Sequence, residues 1–115
     1  MLSEVKVLEK TENSVSLEFS IPGTSPYFDG HFPEFSLLPA VAQIELVTRF
    51  ASQQFGASFD VSQIRRVKFV NFIRPDAPLL LRLVKGENTV SFKLLAPETE
   101  IVYSTGTLVI TGGNW

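Results

Sequence analysis

The sequence predicts an α+β fold in which an antiparallel sheet of about six strands wraps around one long helix. Both ends of the chain contain segments in which apolar and polar residues alternate, which is typical of half-buried strands. Between them lies one long stretch of helical character without internal glycine or proline. The segments after this stretch follow one another through short turns, which favours antiparallel pairing. The 115 residues suit one domain spanning 1–115.

The first two strands are predicted to form a hairpin. "EVKVLEK" and "SVSLEFSIP" alternate apolar and polar residues on either side of the turn sequence "TEN". From Pro22 to Pro39 the alternation stops, and glycines and prolines interrupt a long loop that is rich in aromatic residues. Long ordered loops often carry function, so this loop is a candidate functional segment.

The helix is predicted to begin at Pro39, since proline is favoured in a first turn, and to end at Gly56, a suitable C-terminal cap. The first half of "AVAQIELVTRFASQQF" is apolar almost all round, which predicts that this half is buried on every side. Ser52, Gln53 and Gln54 indicate that the other end of the helix reaches solvent. Four further strands are expected after it. They are "QIRRVKFVNFI", "LLLRLVKG", "TVSFKLLA" and "IVYSTGTLVITGG".

Charge and composition exclude several classes of protein. The formal net charge of -2 gives no overall basic field for nucleic acid or anionic lipid. The chain has no cysteine, which excludes disulfides, thiolate metal sites and a cysteine nucleophile and fits a reducing compartment. Glu4 and Lys6 lie where a signal peptide needs an apolar core, and no apolar run reaches the length of a membrane span. We expect a cytoplasmic protein with no nucleic-acid or membrane partner.

Two ionisable residues are candidates for chemistry, and each also has an ordinary structural explanation. Glu45 lies among apolar residues of the helix, where desolvation would favour the neutral acid that can donate a proton. By spacing alone, however, it pairs with Arg49 one turn later, an exposed helix pair worth about 0.2–0.5 kcal/mol. His31, the one histidine, could be a catalytic base or a loop residue that bonds a backbone carbonyl near Gly30.

The segments Gly30-His31-Phe32-Pro33, Leu38-Pro39 and Gln43-Ile44-Glu45 follow one another in this order along the chain. Together they resemble the active-site segment of the hotdog-fold beta-hydroxyacyl-acyl carrier protein dehydratases of the FabZ and FabA type, with a nearer likeness to the ApeI-like branch. That family has a Gly-His-Phe-Pro loop, a Pro-Gly helix start and an acidic residue fourteen positions beyond the histidine, as Glu45 is here. The segments "RRVKFVNFIRPDAP" and "STGTLVI" extend the resemblance over most of the chain.

The resemblance implies a hotdog fold and the elimination of water from a 3-hydroxyacyl thioester, giving a trans-2-enoyl thioester without a cofactor or metal. The acyl group would arrive on the phosphopantetheine arm of an acyl carrier protein, in fatty-acid synthesis or in an aryl polyene or other polyketide-like pathway. In this scheme His31 is the base, and Glu45 orients and protonates the leaving hydroxyl. The backbone N–H groups of Ala40, at the family's glycine position, and of Val41 would stabilise the oxyanion.

The resemblance also implies a homodimer in which His31 of one subunit meets Glu45 of the other. Aromatic residues of the loop could line an acyl tunnel at the subunit interface, or they could be ordinary core; these are Tyr27, Phe28, Phe32 and Phe35. Basic residues after the helix could bind an acidic carrier protein, or they could be a solvated face; these are Arg65, Arg66, Lys68 and Arg74.

Two other functions on the same fold remain open. A hotdog acyl-thioesterase would hydrolyse the thioester, although thioesterase families centre on a carboxylate without the His-Phe-Pro loop. A non-catalytic hotdog subunit or acyl-binding partner would keep the fold and support an active homologue. Two departures from the family's pattern make this second alternative plausible. Ala40 replaces the family's glycine, and Glu34-Phe35-Ser36 stands where the dehydratases generally carry Gly-x-Pro.

Overall fold

One helix and six strands make up the described part of the chain, which in this computed structural model comprises residues 4–25, 38–56 and 58–112. The α+β class predicted from the sequence is confirmed. In chain order the elements are β1 (Lys6–Lys10), β2 (Ser14–Phe19), α1 (Ala40–Phe55), β3 (Asp60–Phe69), β4 (Leu79–Lys85), β5 (Thr89–Leu95) and β6 (Val102–Thr111).

The six strands form one antiparallel sheet in the order β1-β2-β4-β5-β6-β3. The predicted hairpin closes through Thr11, whose Oγ1 accepts hydrogen bonds from the backbone N–H groups of Asn13 and Ser14. β3 pairs with β6 on one side only and therefore forms one edge of the sheet. This position leaves a ten-residue strand exposed along nearly its whole length.

The core lies between one face of the sheet and one side of α1. Alternate residues of neighbouring strands stand opposite one another on this inner face, as Leu17, Leu81 and Leu94 do across β2, β4 and β5. The rings of Phe19 and Phe50 join sheet and helix, with centroids 4.8 Å apart. The buried residues of α1 are Ala42, Gln43, Leu46, Val47, Phe50 and Ala51.

The two ends of α1 follow the local sequence. Pro39 is the N-cap residue, with an extended backbone of φ -70° and ψ 157°, so the first helical residue is Ala40. Gly56 ends the helix in the left-handed conformation at φ 65°, and its N–H donates to the carbonyl oxygen of Ser52. The predicted cap at Gly56 is confirmed.

The expectation that the first half of α1 is buried on every side is wrong for this chain. Val41 is 80% exposed, and Glu45 on the same side of the helix is also exposed. The sheet covers one side of the helix, whereas nothing in the described residues covers the other. No helix in the described ranges is long and apolar enough to cross a membrane.

Candidate active site at the amino end of the helix

The amino end of α1 is open. Pro39 makes no capping hydrogen bond with its side chain, and the first turn contains no acidic residue. Within the described residues the backbone N–H groups of Ala40 and Val41 have no hydrogen-bond partner. Because the first N–H groups of a helix lack intrahelical partners and carry the positive end of its dipole, this end can stabilise an anion. The two residues predicted as oxyanion donors therefore lie at an accessible helix start.

An apolar groove of about 280 Å³ runs beside this helix end. It lies between the first turns of α1 and the inner side of β3, and almost all of its surface is carbon. Its lining residues are Ala40, Val41, Ile44, Ile64, Val67 and Phe69. Such a surface suits an acyl chain or the apolar surface of a second subunit.

Glu45 lies one helical turn beyond Val41 and on the same side of α1. Its Oε1 is 3.4 Å from Nη2 of Arg49, and 53% of its side chain is exposed. The expected burial of Glu45 in the core of its own chain is therefore wrong, and the pairing with Arg49 suggested by the spacing is what the structure shows. Glu45 points away from the core and towards the open side of the helix.

Five of the predicted site residues lie outside the described residues. His31 is one of them, so the structure does not test its relation to Glu45. The proposed tunnel residues are the other four, namely Tyr27, Phe28, Phe32 and Phe35.

A bulge in β3 divides the predicted basic patch. Arg65 stands opposite Thr107 and Lys68 opposite Thr105, so two residues, Arg66 and Val67, face the single residue between them on β6. Arg66 has a left-handed backbone at φ 54°, which is uncommon outside glycine. Strict alternation would place Arg65 and Lys68 on opposite faces of the sheet. The bulge instead aligns both with the outer face.

The register of the sheet adds two cations that the sequence analysis missed. Lys68, Thr105, Lys93 and Arg82 stand in one row across β3, β6, β5 and β4. We call Lys68, Lys93 and Arg82, together with Arg65 one row further along the same face, the outer basic row. Like charges directly opposite on a sheet, such as Lys93 and Arg82, disfavour folding. No sequence pattern could identify this row, since it depends on which strands become neighbours.

Arg66 and Arg74 do not belong to the outer basic row. Arg66 lies in the bulge, and Arg74 is exposed in the segment between β3 and β4. The structure therefore brings together Arg65 and Lys68 of the four predicted residues. Among the described residues no three His, Cys, Asp or Glu side chains come close enough to hold a metal ion.

Gln43 is a further site residue that the sequence analysis did not single out. It is 3% exposed, and its Nε2 donates to the carbonyl oxygen of Leu38 at 3.2 Å. The N–H of Leu38 in turn donates to the carbonyl oxygen of Ile73 at 2.9 Å. These bonds fix the chain just before α1. A glutamine within an apolar helical stretch was the available sequence signal.

Comparison with solved structures shows that dehydratases and thioesterases have the same fold as this chain. The dehydratase heterocomplex ApeI:P from Xenorhabdus doucetiae matches with a TM-score of 0.84 at 24% identity, over 97% of each chain. A hypothetical thioesterase from Streptococcus pneumoniae, solved with coenzyme A, matches with a TM-score of 0.69 at 10% identity, over 97% of this chain and 89% of that one. At these identities the likeness shows the hotdog fold, which confirms the predicted fold class.

Sequence comparison identifies the family more specifically than the fold does. The 3-hydroxyacyl acyl-carrier-protein dehydratase FabZ of Streptococcus agalactiae is 26% identical over 124 residues, covering 99% of this chain and 89% of that protein. The model of the ApeI-like family, described as ApeI dehydratase, matches residues 7–107. This match spans most of the chain, from β1 into β6. The chain therefore belongs to the ApeI-like dehydratase family.

Proposed function

We propose that this protein eliminates water from 3-hydroxyacyl thioesters on an acyl carrier protein and releases trans-2-enoyl thioesters. One observation carries the proposal: the N–H groups of Ala40 and Val41, which have no partner among the described residues, lie one helical turn from the exposed carboxyl group of Glu45. This arrangement offers oxyanion donors and a proton donor within one helical turn. Membership of the ApeI-like family supports the same chemistry.

In the proposed reaction neutral His31 removes the proton from the carbon next to the thioester carbonyl. The electron pair of that C–H bond moves towards the carbonyl, and the developing negative charge on the thioester oxygen is stabilised by the Ala40 and Val41 N–H groups. The pair then forms the carbon–carbon double bond as the C–O bond breaks. Glu45 protonates the leaving hydroxyl, so that water departs. A final proton transfer from His31 to Glu45 restores the starting state.

The second subunit of the proposed homodimer would cover the open side of the helix. β3 presents a free edge and, with the start of α1, an apolar surface. Further large apolar residues, Val70 at 60% and Phe72 at 78% exposed, follow β3 in sequence. Pairing of two such edges would bury this surface. In this arrangement His31 of one subunit approaches Glu45 of the other, and the aromatic loop residues line the acyl tunnel.

The carrier protein is proposed to dock on basic residues at and beside β3. Arg65, Arg66, Lys68 and Arg74 are all exposed. Two of them, Arg65 and Lys68, share a positive surface on the outer face with Lys93. An acidic carrier protein would be attracted to it, mainly through a faster association rate. Replacing Lys68 with glutamine should raise KM for carrier-bound substrate and leave turnover of a pantetheine-linked substrate unchanged. An equal effect on both substrates would argue against docking at this position.

The deciding experiment is a panel of 3-hydroxyacyl thioesters with aliphatic and aryl tails, on carrier protein and on coenzyme A. Mass spectrometry should show loss of water from at least one carrier-bound substrate. Release of free thiol would instead indicate that the protein is an acyl-thioesterase. Dehydration only after addition of an active homologue would indicate that the protein is a non-catalytic subunit. The preferred tail would distinguish fatty-acid synthesis from an aryl polyene or polyketide-like pathway, and the cytoplasmic location stays a prediction.

Variants of the catalytic pair complete this experiment. His31→Ala and Glu45→Gln should each lower turnover by about 10²–10⁴-fold, the usual contribution of a positioned acid or base. Glu87→Gln, at an exposed position in the β4–β5 turn, is the matched control and should retain full activity. Retained turnover in both variants of the pair would contradict the proposed mechanism.

A further inference from the structure

Gln43 has a buried side-chain amide of which only one of the two polar atoms forms a hydrogen bond within the described residues. Nε2 donates to the Leu38 carbonyl oxygen at 3.2 Å, whereas Oε1 has no partner among the described residues. Burying an unsatisfied polar atom disfavours folding, and an apolar side chain of similar size would avoid that cost. A half-satisfied buried amide in a native structure therefore needs a physical explanation.

The bonds around Gln43 all fix the entry of the chain into α1. Its backbone N–H donates to the Pro39 carbonyl oxygen at 3.0 Å and closes the first turn. Its side chain holds the carbonyl of Leu38, whose N–H is held by Ile73 at 2.9 Å. Leu38 is thus fixed through both its N–H and its carbonyl group. The direction in which the helix starts depends on these contacts.

The alternative way to fix a helix start would occupy its free donors. A Ser, Thr, Asp or Asn at the N-cap accepts a hydrogen bond from the second or third helical N–H. At this helix that bond would engage Val41 or Ala42. Pro39 has no such side chain and no N–H, and Gln43 instead anchors the helix through a carbonyl that lies before it. The anchor stabilises the helix start and leaves the first N–H groups available.

We propose that Gln43 is a positioning residue that aims the N–H groups of Ala40 and Val41 at the thioester oxygen while keeping them free of an N-cap. This inference rests on the proposed function for its chemical consequence. Its structural part, the anchoring of the helix start, depends only on the contacts of Gln43. The two parts can therefore be tested separately.

Three variants test the anchor. Gln43→Leu removes the bond to Leu38 and should lower kcat by about tenfold to a hundredfold through misplacement of the donors, with KM within about twofold. Gln43→Glu should retain activity only while the new carboxyl group is protonated and can donate to Leu38. Its kcat should therefore fall with rising pH more steeply than the kcat of the wild type. Gln53→Leu, at an exposed glutamine of the same helix, is the matched control and should behave as the wild type.

Pro39→Ser separates positioning from a purely structural role. Serine at the N-cap should raise or preserve the melting temperature, because it caps the helix, and should lower kcat, because its hydroxyl competes with the thioester oxygen for the Val41 N–H. Stability and activity should thus change in opposite directions. An unchanged or higher kcat in this variant would overturn the proposal, as would a wild-type kcat in Gln43→Leu.

Hydrogen exchange provides a readout that does not need turnover. The backbone N–H of Leu38 donates to the carbonyl oxygen of Ile73. This N–H should exchange faster in Gln43→Leu than in the wild type, whereas in Gln53→Leu it should exchange at the wild-type rate. If the wild type dehydrates no substrate, the proposed function fails, and the exchange rates still decide whether Gln43 anchors the helix start. Unchanged exchange at Leu38 would overturn that anchor.

Discussion

Both sides of α1 carry large apolar residues in its first half, but their environments are opposite. On the closed side Leu46, Val47 and Phe50 are buried against the sheet, and on the open side Val41 and Ile44 border a groove next to β3. The sheet supplies several strands to the closed side but only its exposed edge strand to the open side. An apolar pattern thus indicates that a surface tends to be buried, whereas strand order decides whether the same chain can bury it.

The largest expected effect concerns the closed side. Leu46→Ala leaves a cavity beneath the helix and should lower the free energy of unfolding by about 2–5 kcal/mol. Val41→Ala, on the open side, should change it by less than about 0.5 kcal/mol in the separated subunit. Urea denaturation at low protein concentration, followed by circular dichroism, measures both. Equal losses would show that the open side also belongs to the core of the single chain.

A smaller effect is expected from a substitution on the open side, which should weaken the assembly of the two proposed subunits. Val67→Asp places a charge in the apolar groove and should weaken the proposed homodimer by about 2 kcal/mol or more, as at an interface hot spot. Sedimentation velocity across a dilution series measures it, and dehydration should decline with the dimer. Val84→Asp is the control, because Val84 is 53% exposed on the outer face. A Val67→Asp dimer of wild-type affinity would place the subunit interface elsewhere.

The smallest effect concerns the ion pair on the open side. Arg49→Gln removes the exposed partner of Glu45 and should change the free energy of unfolding by no more than about 0.5 kcal/mol. The variant frees Glu45 for the proposed reaction, so turnover should be at least that of the wild type. Thermal denaturation and steady-state kinetics check the two parts. A large loss of activity would give Arg49 a direct role at the site.

Local features of the fold were predictable because their signals are local. The hairpin turn, the helix between Pro39 and Gly56 and the four later strands all follow from alternation, breakers and caps. The bulge at Arg66 has no such signal, since nothing marks a left-handed arginine in an alternating strand. The position of β3 at the edge was also unpredictable, because strand order depends on contacts between distant segments.

The features of the candidate site also differ in whether the sequence could predict them. The free N–H groups of Ala40 and Val41 were predictable, since any helix start provides them. The spacing to Arg49 indicated an exposed Glu45, but the apolar neighbours indicated a buried one, and the sequence could not decide because it does not reveal which side of the helix the sheet covers. Gln43 was missed for a related reason, as its importance comes from the carbonyl of Leu38 that it reaches. The pairing of His31 with Glu45 stays a prediction.

The bulge in β3 also bears on aggregation. A free edge of ten residues can recruit unrelated strands and seed insoluble assemblies, and natural sheets protect such edges with charges and irregular backbone. Arg66 provides both, in the middle of the strand and beside two other cations, Arg65 and Lys68. A regular foreign strand would lose its hydrogen-bond register on reaching the bulge. The irregularity that contributes Val67 to the groove therefore also protects the exposed edge of β3 from indiscriminate strand addition.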